Sequence, residues 1–227
     1  MAAENLASRG NFSPEDIRKA MFVYGVTDRA WLDGRALVDC VRDAIAGGAT
    51  FIQLREKSAV RDEIVRLARE IAPVCRAAGV PFVIDDEVEI AREVGADGVH
   101  VGQSDMGCAD ARAALGPDAI VGVSAQTVEE ALRAQEQGAD YLGVGAVIYT
   151  PTKPEAVLVS SDELRAICDA VDIPVVAIGG LNATTIGALA GTGIDGVAVV
   201  SALFAADDVE AAARELCAVT AATLALD

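Results

Sequence analysis

An amide, a guanidinium and an ammonium fall at alternate positions in the stretch Phe51-Ile-Gln-Leu-Arg-Glu-Lys57. Phe51 and Ile52 favour a strand, and strand side chains repeat every two residues, so Gln53, Arg55 and Lys57 are predicted to share one face. Three such groups aimed the same way hold a phosphate, a carboxylate or a polar ring; the competing reading is a strand end turned toward water. Further along, polar residues follow apolar runs: Asp85 and Asp86, Asp105, Ser124, Thr150 to Lys153, Gly179 and Gly180, and Ser201. Asp86 and Asp105 are oxygen donors of the kind that Mg²⁺ takes together with water and phosphate oxygens. They also read as solvated loop carboxylates, and Asp86 as a helix cap. Gly179-Gly180 suits a backbone cradle for phosphate or a plain turn. Ser201 suits a cap for the last helix, a phosphate contact, or both.

His100 is the single histidine. It lies inside a predicted strand, where packing or hydrogen bonding is expected rather than general-base work. With no second imidazole, acid–base chemistry near neutral pH has few players. That argues against triad hydrolases and for chemistry run by a leaving group, a metal and preorganised charge.

The elements that must position these residues repeat one pattern: a short apolar run, a polar tip, then an amphipathic stretch. The runs are 22–26, 50–54, 81–84, 98–101, 119–123, 141–145, 174–178 and 196–200. Helices are predicted from about Gly34 to Ala46, stopped by Gly47-Gly48, and from about Val60 to Ala78, stopped by Gly79. Four strands are announced by similar words: Gly48-Ala-Thr, Gly95-Ala-Asp, Gly138-Ala-Asp and Gly193-Ile-Asp. Eight strands alternating with helices predict an α/β fold, a single (β/α)₈ TIM barrel over residues 21–227, with an open doubly wound sheet as the alternative. Residues 1–20 read as an N-terminal extension carrying a short helix to Ala20, capped by Ser13 with Pro14 at its first position. In such a barrel the strand C-termini form the active site, and every polar tip above falls there.

Composition fits this frame. The 227 residues are 52% hydrophobic but only 4% aromatic, so the core is aliphatic, as a parallel sheet covered on both faces requires. A formal net charge of −17 makes nucleic acid and anionic membranes poor partners, while a local cation cluster can still serve an anionic small molecule. Five scattered cysteines without a C-x-x-C pair predict free thiols, with Cys40, Cys75, Cys168 and Cys217 on helices and Cys108 in a loop. No signal peptide or spanning run is visible, so a cytoplasmic setting is expected; a homo-oligomer is left open.

The words Gln53-Leu-Arg-Glu-Lys57, Gly95 to Gln103, Gly122-Val-Ser124, Asp140 to Gly145, Thr150-Pro-Thr-Lys153 and Val176 to Gly180 resemble those of the thiamine phosphate synthases, over Phe22 to about Phe204. The resemblance implies an enzyme, a transferase, that joins an aminopyrimidine methyl diphosphate to a thiazole ethyl phosphate and releases pyrophosphate. It implies that Gln53, Arg55, Lys57, Ser124 and Lys153 hold the pyrimidine diphosphate, with Arg55, Lys57, Ser124 and Lys153 catalytic. It places Mg²⁺ on Asp86 and Asp105, and the thiazole phosphate on Thr150, Thr152, Gly180, Val200 and Ser201. Leu54, Glu56, Asp85 and Pro151 complete the implied substrate-binding set. Three positions depart from the family pattern. Asp85 stands where asparagine is usual, Gln126 where many members carry histidine, and the glycine expected soon after Lys153 is absent. A thiazole tautomerase-like barrel and a non-catalytic phosphate-ligand sensor are the alternatives.

Overall fold

The computed structural model describes residues 12–149 and 157–225. In chain order the elements are α1 (Pro14–Ala20), β1 (Val23–Val26), α2 (Leu37–Ala46), β2 (Phe51–Leu54), α3 (Arg61–Ala78), β3 (Phe82–Asp85), α4 (Val88–Val94), β4 (Gly98–Val101), α5 (Cys108–Leu115), β5 (Ile120–Ala125), α6 (Val128–Glu136), β6 (Tyr141–Gly145), α7 (Ser161–Ala170), β7 (Val175–Ile178), β8 (Gly196–Val199), α8 (Ser201–Phe204) and α9 (Val209–Leu224). The strands pair in parallel, each with the next, and β8 closes onto β1. This is the predicted (β/α)₈ barrel.

Two details differ from expectation. Between β7 and β8 the chain makes only a short 3₁₀ turn, Ile186–Leu189. Its surroundings, Leu181 to Asp195, are rich in Gly and Thr, which support a long helix poorly. Cys108 is not in a loop; it opens α5 and is buried. All five cysteines are free, and burial pushes the Cys75 thiol up to about 12.

The four repeated words have a common structural meaning. Each glycine adopts a positive φ: 109° at Gly48, 65° at Gly95, 88° at Gly138 and 80° at Gly193. Two residues on, a polar side chain accepts a main-chain N–H from the start of the neighbouring strand. Thr50 takes Val23 at 2.9 Å, Asp97 takes Phe82 at 2.9 Å, Asp140 takes Val121 at 2.7 Å and Asp195 takes Val175 at 2.8 Å. One device therefore pins β1, β3, β5 and β7 from the even-numbered strand beside each.

Strand alternation sends one set of side chains toward the helices and the other into the barrel. The inner set is Tyr24, Val26, Phe51, Val83, Ile120, Tyr141, Val176 and Ala198, and it packs with Ile17, Ala20 and Met21. Helix α1 thus lies across the N-terminal end of the barrel. Its start is fixed by a capping box, with Asp16 N–H donating to Ser13 Oγ and Ser13 N–H donating to Asp16 Oδ2.

Candidate active site

At the opposite end, β2 stops at Leu54, so Arg55, Glu56 and Lys57 lie just beyond the strand. Gln53 points into the barrel, 4% exposed, with Nε2 donating to Tyr24 Oη at 2.6 Å. Arg55 is turned by its own N–H, which donates to Thr27 Oγ1 at 3.0 Å. Its guanidinium then lies 3.9 Å from both Asp28 Oδ2 and Asp85 Oδ2. Lys57 Nζ is 2.7 Å from Asp85 Oδ2 and also pairs with Asp86. Burial pulls the Lys57 ammonium pKa down, but the Asp85 and Asp86 bonds outweigh it and the net shift is upward. Arg55 and Lys57 thus converge on Asp85, two residues beyond the inward-facing Val83 of β3. Leu54 and Glu56 point elsewhere. Leu54 is buried among the aliphatic residues between sheet and helices. Glu56 accepts from Arg29 Nε at 2.9 Å, and burial raises its pKa against the pull of that arginine.

Asp86 adopts φ 60°, a left-handed conformation that side chains rarely take and that recurs at functional sites. It is not the cap of α4, whose N-cap residue is Glu87. Its carboxyl is raised to about 6, first by burial and further by Asp85 and Asp105, with Lys57 opposing. Asp105 is held by the Gly102 N–H, 2.9 Å from its Oδ2. Asp28, Asp85, Asp86 and Asp105 give four carboxylates against Arg55 and Lys57, a formal deficit of two positive charges among the described residues. Hard oxygen donors crowded enough that Asp85 and Asp105 help raise the Asp86 pKa fit a divalent cation. Among the described residues no group of three or more such side chains forms a complete ligand set, so a cation there would draw the remaining oxygens from substrate and water.

Ser124 sits near the end of β5. Its carbonyl accepts from Gln103 Nε2 at 2.7 Å and its Oγ lies 2.9 Å from His100 Nε2. The other nitrogen, Nδ1, is 3.0 Å from Tyr141 Oη. Burial lowers the His100 pKa to about 4. His100 thus has the hydrogen-bonding role expected of it, and its partner is a candidate site residue. Sequence reasoning missed Tyr24 and Tyr141. The signal was available in the glycines: a Cβ on Gly122 would lie 2.1 Å from the Tyr141 ring, and one on Gly143 would lie 3.1 Å from His100 Cε1. Glycines on inward positions marked where large polar rings fill the barrel.

The rim of β6 to β8 is organised by close backbone approach. Gly179 and Gly180 have φ of 101° and 68°. A Cβ would meet Ala146 Cβ at 2.6 Å at the first and Ile148 at 2.8 Å at the second. The space is taken by the segment after β6, which is the immediate reason for glycine here. Gln126 donates Nε2–H to Gly145 O at 3.1 Å and so ties the end of β5 to β6. Val200 precedes α8 and Ser201 is its first residue; the last helix, α9, is capped by Asp208 rather than by Ser201. Thr150, Pro151, Thr152 and Lys153 lie outside the described residues.

A parallel barrel whose strand C-termini gather two cations, clustered carboxylates and a buried polar chain has the build of a (β/α)₈ enzyme for small molecules. Comparison with known proteins narrows the class. The family model described as thiamine monophosphate synthase matches residues 23–203. The thiamine-phosphate synthase of Chloroflexus aurantiacus is 48% identical over 202 residues, covering 88% of this chain and 93% of that one. That of Clostridium novyi is 43% identical over 200 residues, covering 86% and 96%. The solved thiamine phosphate pyrophosphorylase from Pyrococcus furiosus superposes with a TM-score of 0.84 at 39% identity, covering 92% of this chain and 99% of that one. The chain belongs to the thiamine monophosphate synthase family. These relatives lend no support to the tautomerase or sensor readings.

Proposed function

We propose that the chain joins an aminopyrimidine methyl diphosphate to a thiazole ethyl phosphate, giving thiamine phosphate and pyrophosphate. The observation that carries this reading is the convergence of Arg55 and Lys57 on Asp85 and Asp86 at the barrel mouth, in a chain of this family. Arg55, Lys57 and Lys153 neutralise the diphosphate as it departs with the bonding electron pair. The electron-rich aminopyrimidine, set by Gln53 and Ser124, shares the positive charge left on its methylene carbon. The thiazole nitrogen, oriented through a phosphate held by Thr150, Thr152, Gly180, Val200 and Ser201, then supplies the new bond. Little general-base help is needed, in keeping with a single histidine that burial keeps neutral. Mg²⁺ held by Asp86 and Asp105 would supply Lewis-acid neutralisation of the leaving oxygens.

Asp85 has a distinct part in this scheme. It engages both cations meant for the diphosphate, so substrate must compete for them. Five free cysteines suit a reducing, cytoplasmic setting. The test is direct: mix both substrates with Mg²⁺ and assay thiamine phosphate and pyrophosphate in equal amounts. No product under these conditions rules the activity out.

A further inference from the structure

A continuous hydrogen-bond chain crosses the barrel interior and joins two members of the proposed substrate-binding set. Gln53 Nε2 is 2.6 Å from Tyr24 Oη, which is 2.8 Å from Tyr141 Oη. Tyr141 Oη is 3.0 Å from His100 Nδ1, and His100 Nε2 is 2.9 Å from Ser124 Oγ. The links come from β2, β1, β6, β4 and β5. Tyr24 and Tyr141 are 1% and 0% exposed, so their hydroxyls depend on partners inside the barrel.

Each phenol has one hydrogen and a neutral imidazole has one N–H, and a buried hydroxyl hydrogen left without an acceptor is costly, so the direction of the first bond sets the others. With Gln53 donating, Tyr24 donates to Tyr141 and Tyr141 donates to His100 Nδ1. The imidazole hydrogen must then sit on Nε2, where it donates to Ser124 Oγ. The hydrogen of Ser124 is left over for a ligand. With the Gln53 amide rotated, every bond reverses, the imidazole hydrogen moves to Nδ1, and the Ser124 hydrogen is consumed within the chain. A diphosphate only accepts hydrogen bonds, so an anionic substrate is served by the first direction and not the second.

We infer that Tyr24, Tyr141 and His100 are positioning residues that fix the hydrogen-bond direction across the barrel, so that Ser124 meets the substrate as a donor. This deepens the proposed function and rests on it. The same direction leaves Gln53 with one N–H and its Oε1 to present side by side. That edge complements an amino group beside a ring nitrogen, the pattern of an aminopyrimidine, and does not complement two acceptors.

The single histidine makes the test clean, because its ring nitrogens give one unambiguous set of ¹⁵N resonances. In the substrate-free protein at neutral pH the spectrum is expected to show the Nε2–H tautomer alone; an Nδ1–H tautomer overturns the inference. Tyr141→Phe is expected to give mixed tautomers and roughly tenfold lower kcat/KM for the pyrimidine diphosphate, with KM for the thiazole phosphate unchanged. An unaltered tautomer with unaltered kinetics overturns it as well. Should Tyr141→Phe fail to fold, Tyr24→Phe interrupts the chain one link earlier and is expected to mix the tautomers in the same way. If the wild-type protein makes no thiamine phosphate, the functional reading falls, while the tautomer measurement still decides the direction of the chain.

Discussion

Replacing Asp85 by asparagine keeps the side-chain shape and removes one charge from the crowded mouth. Asp86 stands at about 6 against an ordinary 3.8, a gap worth at most about 3 kcal/mol. Burial is its main cause, Asp85 adds to it, and Asp85 also takes Lys57 at 2.7 Å. Asp85→Asn therefore removes a repulsion and leaves Lys57 to Asp86, and both changes lower the Asp86 pKa, by roughly one unit or ~1.4 kcal/mol. A cation binding at Asp86 must displace its proton below that pKa. At pH 5 this competition weakens binding about elevenfold for a group at 6 and about twofold for a group at 5, and at pH 7.5 it is negligible for both. The ratio of Mg²⁺ affinity, variant over wild type, should therefore be about fivefold higher at pH 5 than at pH 7.5, whatever the lost carboxylate costs at neutral pH. Calorimetric titration of Mg²⁺ into metal-free protein at the two pH values measures it. A ratio that does not change with pH refutes the reasoning. Stability carries the same signature: ionised Asp86 weighs against the metal-free fold above pH 6, and that weight is lifted as pH falls from 6 toward 3.8.

Lys57→Ala is expected to lower kcat/KM about a hundredfold or more with an unchanged circular dichroism spectrum, because the ammonium meets charge that develops on the leaving group. A near-normal rate would show that the diphosphate is held elsewhere. Gly122→Ala would drive a Cβ to 2.1 Å from the Tyr141 ring; a loss of roughly 2–3 kcal/mol in urea unfolding is expected. Ile17→Ala empties a 4% exposed site where α1 meets the barrel interior, at a cost of about 2–4 kcal/mol. A loss below half that would mean that α1 merely rests on the barrel.

What was legible in the sequence follows from local rules. The four glycine-led words predicted where strands begin, because a left-handed turn and a short polar side chain are both local demands. Ser13 and Pro14 located α1 for the same reason. The link between β7 and β8 was not legible as a turn, since strand spacing alone cannot tell a short helix from a 3₁₀ segment. Arg55 and Lys57 lie beyond the end of β2 at Leu54, and what holds them is Thr27 and Asp85, contacts with other strands that spacing along the chain does not encode. Tyr24 and Tyr141 were missed because their meeting is set by barrel closure, 117 residues apart in sequence.

Helix α1, with Ile17, Ala20 and Met21 lodged beneath Tyr24, Phe51 and Tyr141, stoppers the floor of the barrel. The interior above it is filled by side chains and not by an open passage, so α1 adds to a packed core and does not close a channel. A change at this end reaches the far rim only through rings and aliphatic chains that touch one another, which makes the floor a matter of stiffness for the mouth.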